Sequence, residues 1–365
     1  MADFVPFGKL DLKQWDDFCL NSSSAWFRHS SDAMRFCLSL NNASENLSFG
    51  IIEAGKLAAA VPLIKQPISG EGDIFEFAMG GDPVPFPALR SDLSESKSAK
   101  LLKSAFERID ALAREKSVMY AKFFSDPLAD DSEYGPGKFN QLLKSGFGDV
   151  SLTTNIVDLS LPEEQLFKNI RDGYQYDIRS AGKTGLSIDF FDKNNISDRI
   201  FKIYKDIYFS AAGKEVGTRE RWDATYGLIK AGAAVLALEK DSSGKFASGV
   251  IFFVYKQSAY YAFGATAADF KEMNGISHFL QWGIIKYLKS NNFRQYELGC
   301  NFYPIISDEV RTPKEISISF FKSGFGGRIK PLFRGEKFYD AEYMKKRRDH
   351  LTEKYVENHM KSEKN

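Results

Sequence analysis

Apolar residues recur at intervals of three and four in two long stretches, SKSAKLLKSAFERIDALAREK at 96–116 and ISHFLQWGIIKYLKSNN at 276–292. This spacing predicts two amphipathic helices. Each is followed by a short β-like run, SVMYAKFFSDP ending at Pro127 and FRQYELGCNFYP ending at Pro304. Each is preceded by two apolar runs around a Gly-Lys turn, FGIIEAGKLAAAVPLI at 49–64 and VLALEKDSSGKFASGVIFFVY at 235–255, the pattern of antiparallel strand pairs.

The pentapeptide KSGFG closes both series, at Lys144–Gly148 and Lys322–Gly326, in each case after apolar residues at helical spacing. Tyr120 and Tyr296 in the β-like runs are 176 residues apart, against 178 for the pentapeptides, so the order of elements is duplicated. The glycine that ends each apolar stretch reads as a helix C-cap, where a left-handed backbone is needed. A phosphate-cradling role is disfavoured, because these glycines follow a helix and do not open one. The element order predicts an α/β fold of the α+β kind, with mixed, mostly antiparallel sheets. Boundaries fall at 1–152, 153–330 and 331–365, the last segment being a strand and a basic helix that could pack back on the first domain. No Gly/Ser-rich or Pro-rich linker separates the halves, so a cleft is expected between them.

Composition adds exclusions. Lys+Arg number 49 against 48 Asp+Glu, so no global field points to a polyanionic partner. Three cysteines without a CxxC pair argue against a disulfide framework and a cysteine-based zinc site, and the four histidines show no metal-ligand spacing, so no metal is expected. The N-terminus lacks the cationic and apolar regions of a signal peptide and no run is long enough to span a membrane, which predicts a cytoplasmic protein.

The string LPEEQLFKNIRDGYQYDIRSAGKTGLSI (161–188) resembles the opening of the second domain of Fem-type aminoacyltransferases, with Ile178, Arg179, Ala181 and Lys183 in the place of an Ile-Arg-x-Ala-x-Lys-like motif. YYAFGATAADF (260–270), HFLQWGIIKYL (278–288), YELG (296–299) and FFKSGFGG (320–327) look like that family's later strand, helix, strand and terminal helix, in order. Over 1–150 the likeness is thinner, carried by AWFRHSSDAMRF (25–36) and FSDP (124–127). The resemblance implies two tandem GNAT-like domains and transfer of an acyl group to an amine. The coiled-coil arm of some members is missing, so the chain is similar to the armless type.

Acyl transfer needs a neutral amine, a positioned carbonyl and stabilisation of the oxyanion; a dedicated base is optional. The resemblance points to Asp126 of FSDP as a catalytic carboxylate near the acceptor amine, while its position before Pro127 also suits a turn cap. Arg179 and Lys183, four apart, would share a helix face and could bind phosphate. Lys214, Arg219, Arg221 and Trp222 combine cations with an aromatic ring, a set able to bind phosphate and stack a base, in a stretch where the family contacts its acceptor's nucleotide. Tyr260 and Tyr261 lie on the next strand with opposite orientations, so one of them would face the cleft. In each case an exposed or core role is the plain alternative.

KEMNGIS (271–277) has one glycine, Gly275, where a coenzyme A loop carries two, which weakens coenzyme A binding. Arg328 to Arg348 holds eight cations against three anions, a patch suited to tRNA or to anionic lipid at the membrane surface. The leading expectation is a transferase with no resident cofactor. It would move an acyl or aminoacyl group from aminoacyl-tRNA to an amine of a cell-envelope precursor, such as a nucleotide- or lipid-linked peptidoglycan peptide. The alternatives are an acyl-CoA-dependent N-acyltransferase acting on an amino sugar of a surface polysaccharide, and a non-catalytic duplicate that binds RNA or a nucleotide-sugar.

Overall fold

The computed structural model describes residues 3–129 and 139–360. The chain forms two compact units, one of Met1–Thr153, Phe302–Ser317 and Lys330–Asn365, the other of Thr154–Asn301 and Ile318–Ile329. Residues 302–317, assigned from sequence to the second domain, thus lie with the first.

The first unit opens with β1 (Asp3–Pro6), α1 (Leu12–Asn21), α2 (Ser31–Ser39), β2 (Glu45–Asn46), β3 (Phe49–Glu53), β4 (Lys56–Val61), β5 (Ile64–Pro67), β6 (Phe75–Phe77), β7 (Val84–Pro85) and β8 (Ala88–Leu89). The 21-residue helix α3 (Glu95–Glu115), β9 (Val118–Phe124) and β10 (Gly148–Asp149) follow. Asp11 and Ser30 cap α1 and α2 by accepting the amides of Gln14 and Ala33, as short polar side chains do at helix starts. The β3–β4 hairpin turns at Ala54 and Gly55, both at positive φ, as a two-residue turn between right-twisted strands requires.

The second unit contains β11 (Leu152–Asp158), α4 (Glu163–Lys168), α5 (Asp172–Ala181), β12 (Ser187–Phe191), α6 (Asp198–Ala212), α7 (Arg219–Ala231), β13 (Ala234–Lys240), β14 (Phe246–Tyr255), β15 (Ser258–Thr266), α8 (Ile276–Ser290) and β16 (Gln295–Asn301). The chain continues through α9 (Pro313–Ser323), β17 (Arg328–Leu332), β18 (Arg334–Phe338) and α10 (Ala341–Tyr355). The sheet order is β12-β13-β14-β15-β16-β11-β17, and Leu280, Ile284 and Leu288 of α8 pack with Val250, Phe252 and Tyr296 in its core. Fully burying each such side chain contributes roughly 1.5–3 kcal/mol.

The first unit has a four-stranded sheet, β1-β3-β4-β8, and a larger one ordered β10-β18-β9-β6-β5-β2 with β7 also on β9. In each unit a strand preceding the long helix pairs in parallel with the strand after it, β6 with β9 and β15 with β16, while the hairpins are antiparallel. This is the mixed α/β architecture expected from the sequence.

The two pentapeptides are not equivalent. In the first, Gly146 has φ +79° and caps a 3-10 turn over Gln141–Ser145 in the left-handed conformation. In the second, Gly324 is not left-handed; a Cβ there would overlap the Tyr174 ring, so close packing demands the glycine, and positive φ falls instead on Gly326 and Gly327. The expected C-cap holds for the first copy only.

Candidate functional site

In the second unit, β15 and β16 pair over Ser258–Gln295, Ala259–Tyr296 and Tyr260–Glu297. Beyond that point β15 stays on β14 as far as Thr266, while β16 runs on to Asn301 without pairing to β15 among the described residues. The two parallel strands part there.

The first unit begins the same way, with Phe75–Val118, Glu76–Tyr120 and Phe77–Ala121. Its gap is closed by the chain itself, because β7 returns to pair Val84 with Phe123 and Pro85 with Phe124. Between these pairings Lys122 donates to the Gly81 carbonyl at 3.0 Å and pairs with Glu309 at 3.3 Å. Only the second unit retains the parting.

The lysine of the second pentapeptide lies at this parting. The Nζ of Lys322 is 4.0 Å from the centre of the Tyr261 ring on β15. On β16 it neighbours Gly299, where a Cβ would be in ordinary contact with it at 3.4 Å; Gly299 has φ +108°. Burial lowers the Lys322 pKa from 10.5 to about 8, partly offset by Cys300 and Glu297, which favour the charged form. Glu297 is buried and accepts a 2.7 Å hydrogen bond from the Thr154 hydroxyl. An ammonium in such surroundings releases a proton near neutral pH and is worth more to a nearby developing negative charge than one in water.

His278 of α8 packs against Tyr174, Phe321 and Phe325 at ring distances of 4.2, 5.1 and 5.9 Å. Burial lowers its pKa, opposed by Asp177, whose carboxylate is 3.7 Å away, and its Nε2 has no hydrogen-bond partner among the described residues. The sequence reading passed over Lys322 because it treated KSGFG as backbone. The available signal was a lysine among Phe320, Phe321 and two glycines.

The residues singled out from sequence are dispersed. Arg221 lies over the Phe263 ring at 5.3 Å, alongside the parted stretch of β15, and Tyr261 is under Lys322. The Tyr260 ring stacks instead on Phe253. Trp222 is a core residue: its indole donates to the Val216 carbonyl at 2.8 Å and its ring packs among Phe201, Tyr208 and Phe209, so it offers no face to a base. Lys214 is exposed, and Arg219 makes an exposed 3.4 Å pair with Asp223.

Arg179 and Lys183 do not share a helix face, because α5 ends at Ala181 and Lys183 lies in the following turn. Arg179 instead covers the Phe167 ring at 4.9 Å and, with Trp282 and Lys286, lines a cavity of about 440 Å³. In the first unit, Asp126 is buried and its Oδ1 accepts the Leu128 amide at 3.0 Å, the geometry of a turn cap.

The cations of the C-terminal segment are largely engaged within the first unit. Arg334 pairs with Asp308, and Arg348 with Glu336. Lys337 holds both oxygens of Asp110, while Arg347 covers the Tyr120 ring at 4.4 Å and donates to the Asp308 carbonyl. The eight-cation patch inferred from composition is thus in good part an internal network. Among the described residues, no group of His, Cys, Asp and Glu could hold a metal ion, and no helix is long and apolar enough to cross a membrane.

No protein-family model matches the chain, and no curated protein matches it by sequence. In structure it is similar to FemX, with a TM-score of 0.65 over 94% of this chain and 99% of that one, at 12% identity. It is also similar to L-PGS from Bacillus licheniformis (TM-score 0.55, 97% and 98% covered, 12% identity). A tandem GNAT protein from the clavulanic acid biosynthesis pathway gives a TM-score of 0.52, with 93% and 98% covered at 12% identity. The fold is therefore a Fem-like tandem GNAT fold.

Proposed function

We propose that this protein, having the tandem GNAT fold, is an acyltransferase of the Fem and L-PGS type whose reaction takes place at the strand parting of the second unit. The observation that carries the reading is the partly buried Lys322 ammonium where β15 and β16 separate. A donor carbonyl reaching the parting would meet the Lys322 ammonium in a poorly solvated place. A neutral acceptor amine attacks the carbonyl carbon, the C–N bond forms, and negative charge gathers on the carbonyl oxygen, where Lys322 offsets it. On collapse the C–O bond of an ester donor breaks and the departing oxygen takes a proton. Lys322, with a pKa of about 8, can supply that proton and recover one from the new ammonium.

The donor we favour is an aminoacyl ester such as aminoacyl-tRNA, and the acceptor an amine of a cell-envelope precursor, nucleotide- or lipid-linked. The resemblance of 161–188 and 260–327 to Fem-type enzymes supports this. So does Gly275, the sole glycine of the turn before α8, whose own Cβ position is filled by the Asp177 carbonyl. A second reading, an acyl-CoA-dependent N-acyltransferase acting on an amino sugar, is favoured by the internal pairing of the C-terminal cations, which leaves less charge for RNA.

One assay separates them. Purified protein is given charged tRNA or acetyl-CoA, each with nucleotide-linked amino sugars and peptidoglycan precursors, and released tRNA or free thiol is followed. Deacylation of tRNA that depends on the acceptor supports the first reading. Thiol release alone overturns it in favour of the second, and consumption of neither donor overturns both.

A further inference from the structure

The seat of Lys322 is assembled from residues that are individually unremarkable in the sequence. The Tyr261 ring is presented to the ammonium after an irregularity in the β14–β15 register between Ile251 and Phe252, and it packs against the core cluster behind it. The ring extends along its own strand, so that a Cβ at Gly264 would overlap its hydroxyl and sit 2.9 Å from Cζ. Across the parting, Gly299 neighbours Nζ. A side chain at Gly264 would move the ring, whereas Gly299 is held to glycine by its φ of +108° and a Cβ there would only touch the ammonium.

We propose that Tyr261 is a positioning residue, which holds the Lys322 ammonium over its ring face, and that Gly264 is bare in order to seat that ring. The functional meaning of the seat rests on the acyl-transfer reading above; the seat itself does not. Burial works against the charged lysine, and the groups that favour it are Cys300 and Glu297 from β16 and the ring face from β15. The negative face of an aromatic ring attracts a cation by its quadrupole, and this attraction grows where water is excluded. The lysine thereby keeps an affinity for a proton that its surroundings would otherwise remove, and keeps it at one point of the opening.

The test uses the full-length protein and needs no substrate. Trace labelling with isotopic acetic anhydride between pH 6.5 and 11, read on the peptide carrying Lys322, gives the reactivity–pH profile of its amine. Replacing Tyr261 by phenylalanine, 4-fluorophenylalanine and pentafluorophenylalanine keeps the ring's shape while draining its face of charge. Tyr261→Phe is expected to titrate like the natural protein. The pentafluoro ring is expected to lower the midpoint by about half a unit or more. Gly264→Ala should displace the ring and change the profile, and Gly264→Ala combined with Tyr261→Phe, which removes the overlapping hydroxyl but keeps Cζ 2.9 Å from the new methyl, should relieve that change in part. A profile unmoved along the fluorinated series, with the variants folded by circular dichroism, overturns the proposal. So does a Gly264→Ala effect that Tyr261→Phe fails to relieve. Either result would leave the donor assay to decide the acyl-transfer reading separately.

Discussion

Arg334 and Asp308 form an ion pair with both side chains buried, joining β18 to the segment that follows β16. The pair closes the first unit on itself, and Arg347 donates a further hydrogen bond to the Asp308 carbonyl at 3.0 Å. Arg334→Met leaves a carboxylate in a dry place with no guanidinium opposite, and is expected to cost about 3–5 kcal/mol in denaturant unfolding. Arg334→Met with Asp308→Leu removes both charges and should recover most of that loss. A double variant as unstable as the single one would contradict this account.

Lys322 titrates near pH 8 in the folded protein and near 10.5 when unfolded. Between these values the unfolded chain binds more protons, so this group makes stability rise with pH across the window; below pH 8 the folded state bears the full cost of a desolvated charge. Lys322→Met should therefore be more stable than the natural protein at pH 7, by about 1–3 kcal/mol after discounting for its partial exposure. The gap should close by about pH 10.5. On the proposed function, the same variant loses about 100–1,000-fold in kcat, the scale of an oxyanion-stabilising group.

Glu239 of β13 is fully buried; its Oε2 accepts a 2.6 Å hydrogen bond from Ser248, and its Oε1 has no hydrogen-bond partner among the described residues. Burial raises its pKa from 4.5 to about 8, so the folded protein keeps this proton through a range where the unfolded chain gives it up. Stability from this group falls as pH rises through that window. Glu239→Gln keeps the shape and an acceptor for Ser248, and is expected to be the more stable protein at pH 8–9 by about 2 kcal/mol or more. Thermal unfolding against pH would show the two curves converging toward pH 5.

The two pentapeptide glycines should respond differently to a methyl group. Gly324→Ala runs into the Tyr174 ring and should cost about 1–3 kcal/mol through overpacking. Gly146→Ala meets only the end of the flexible Lys337 side chain, but it must hold φ +79°, at about 1–2 kcal/mol. Tyr174→Leu should relieve the first substitution and leave the second unchanged. Equal relief of both would show that packing around Tyr174 does not explain Gly324.

Much of the fold was legible because it is written in local periodicity: the helices at 95–115 and 276–290, the hairpins before them and the strands after them follow from spacing and turn residues alone. The site was less so. Lys322 looks like any helical lysine until Tyr261 and Gly299, far from it in sequence, are brought beside it. Trp222 beside Arg219 and Arg221 reads as a stacking platform, yet its ring is what α6 and α7 pack around, because an indole gains more from burial than from solvent. The C-terminal cations suggested a surface patch because counting charge says nothing of partners; Asp308, Asp110 and Glu336 meet them only after folding. The closing of the first parting rests on the two-residue strand β7, too short to announce itself by alternation.

The position of β18 has a bearing on biosynthesis. It lies inside its sheet, between β10 and β9, and its Arg334–Phe338 backbone supplies the partners for Phe124–Tyr120. A chain emerging from the ribosome exposes β9 some two hundred residues before β18 exists. The usual order, in which the N-terminal domain is finished first, is not open to this protein. Its second unit can complete its sheet as far as β16 while the first still has an unpaired strand edge. A nascent chain halted before residue 334 therefore leaves one edge of β9, of sequence VMYAKFF, unpaired and open to aggregation.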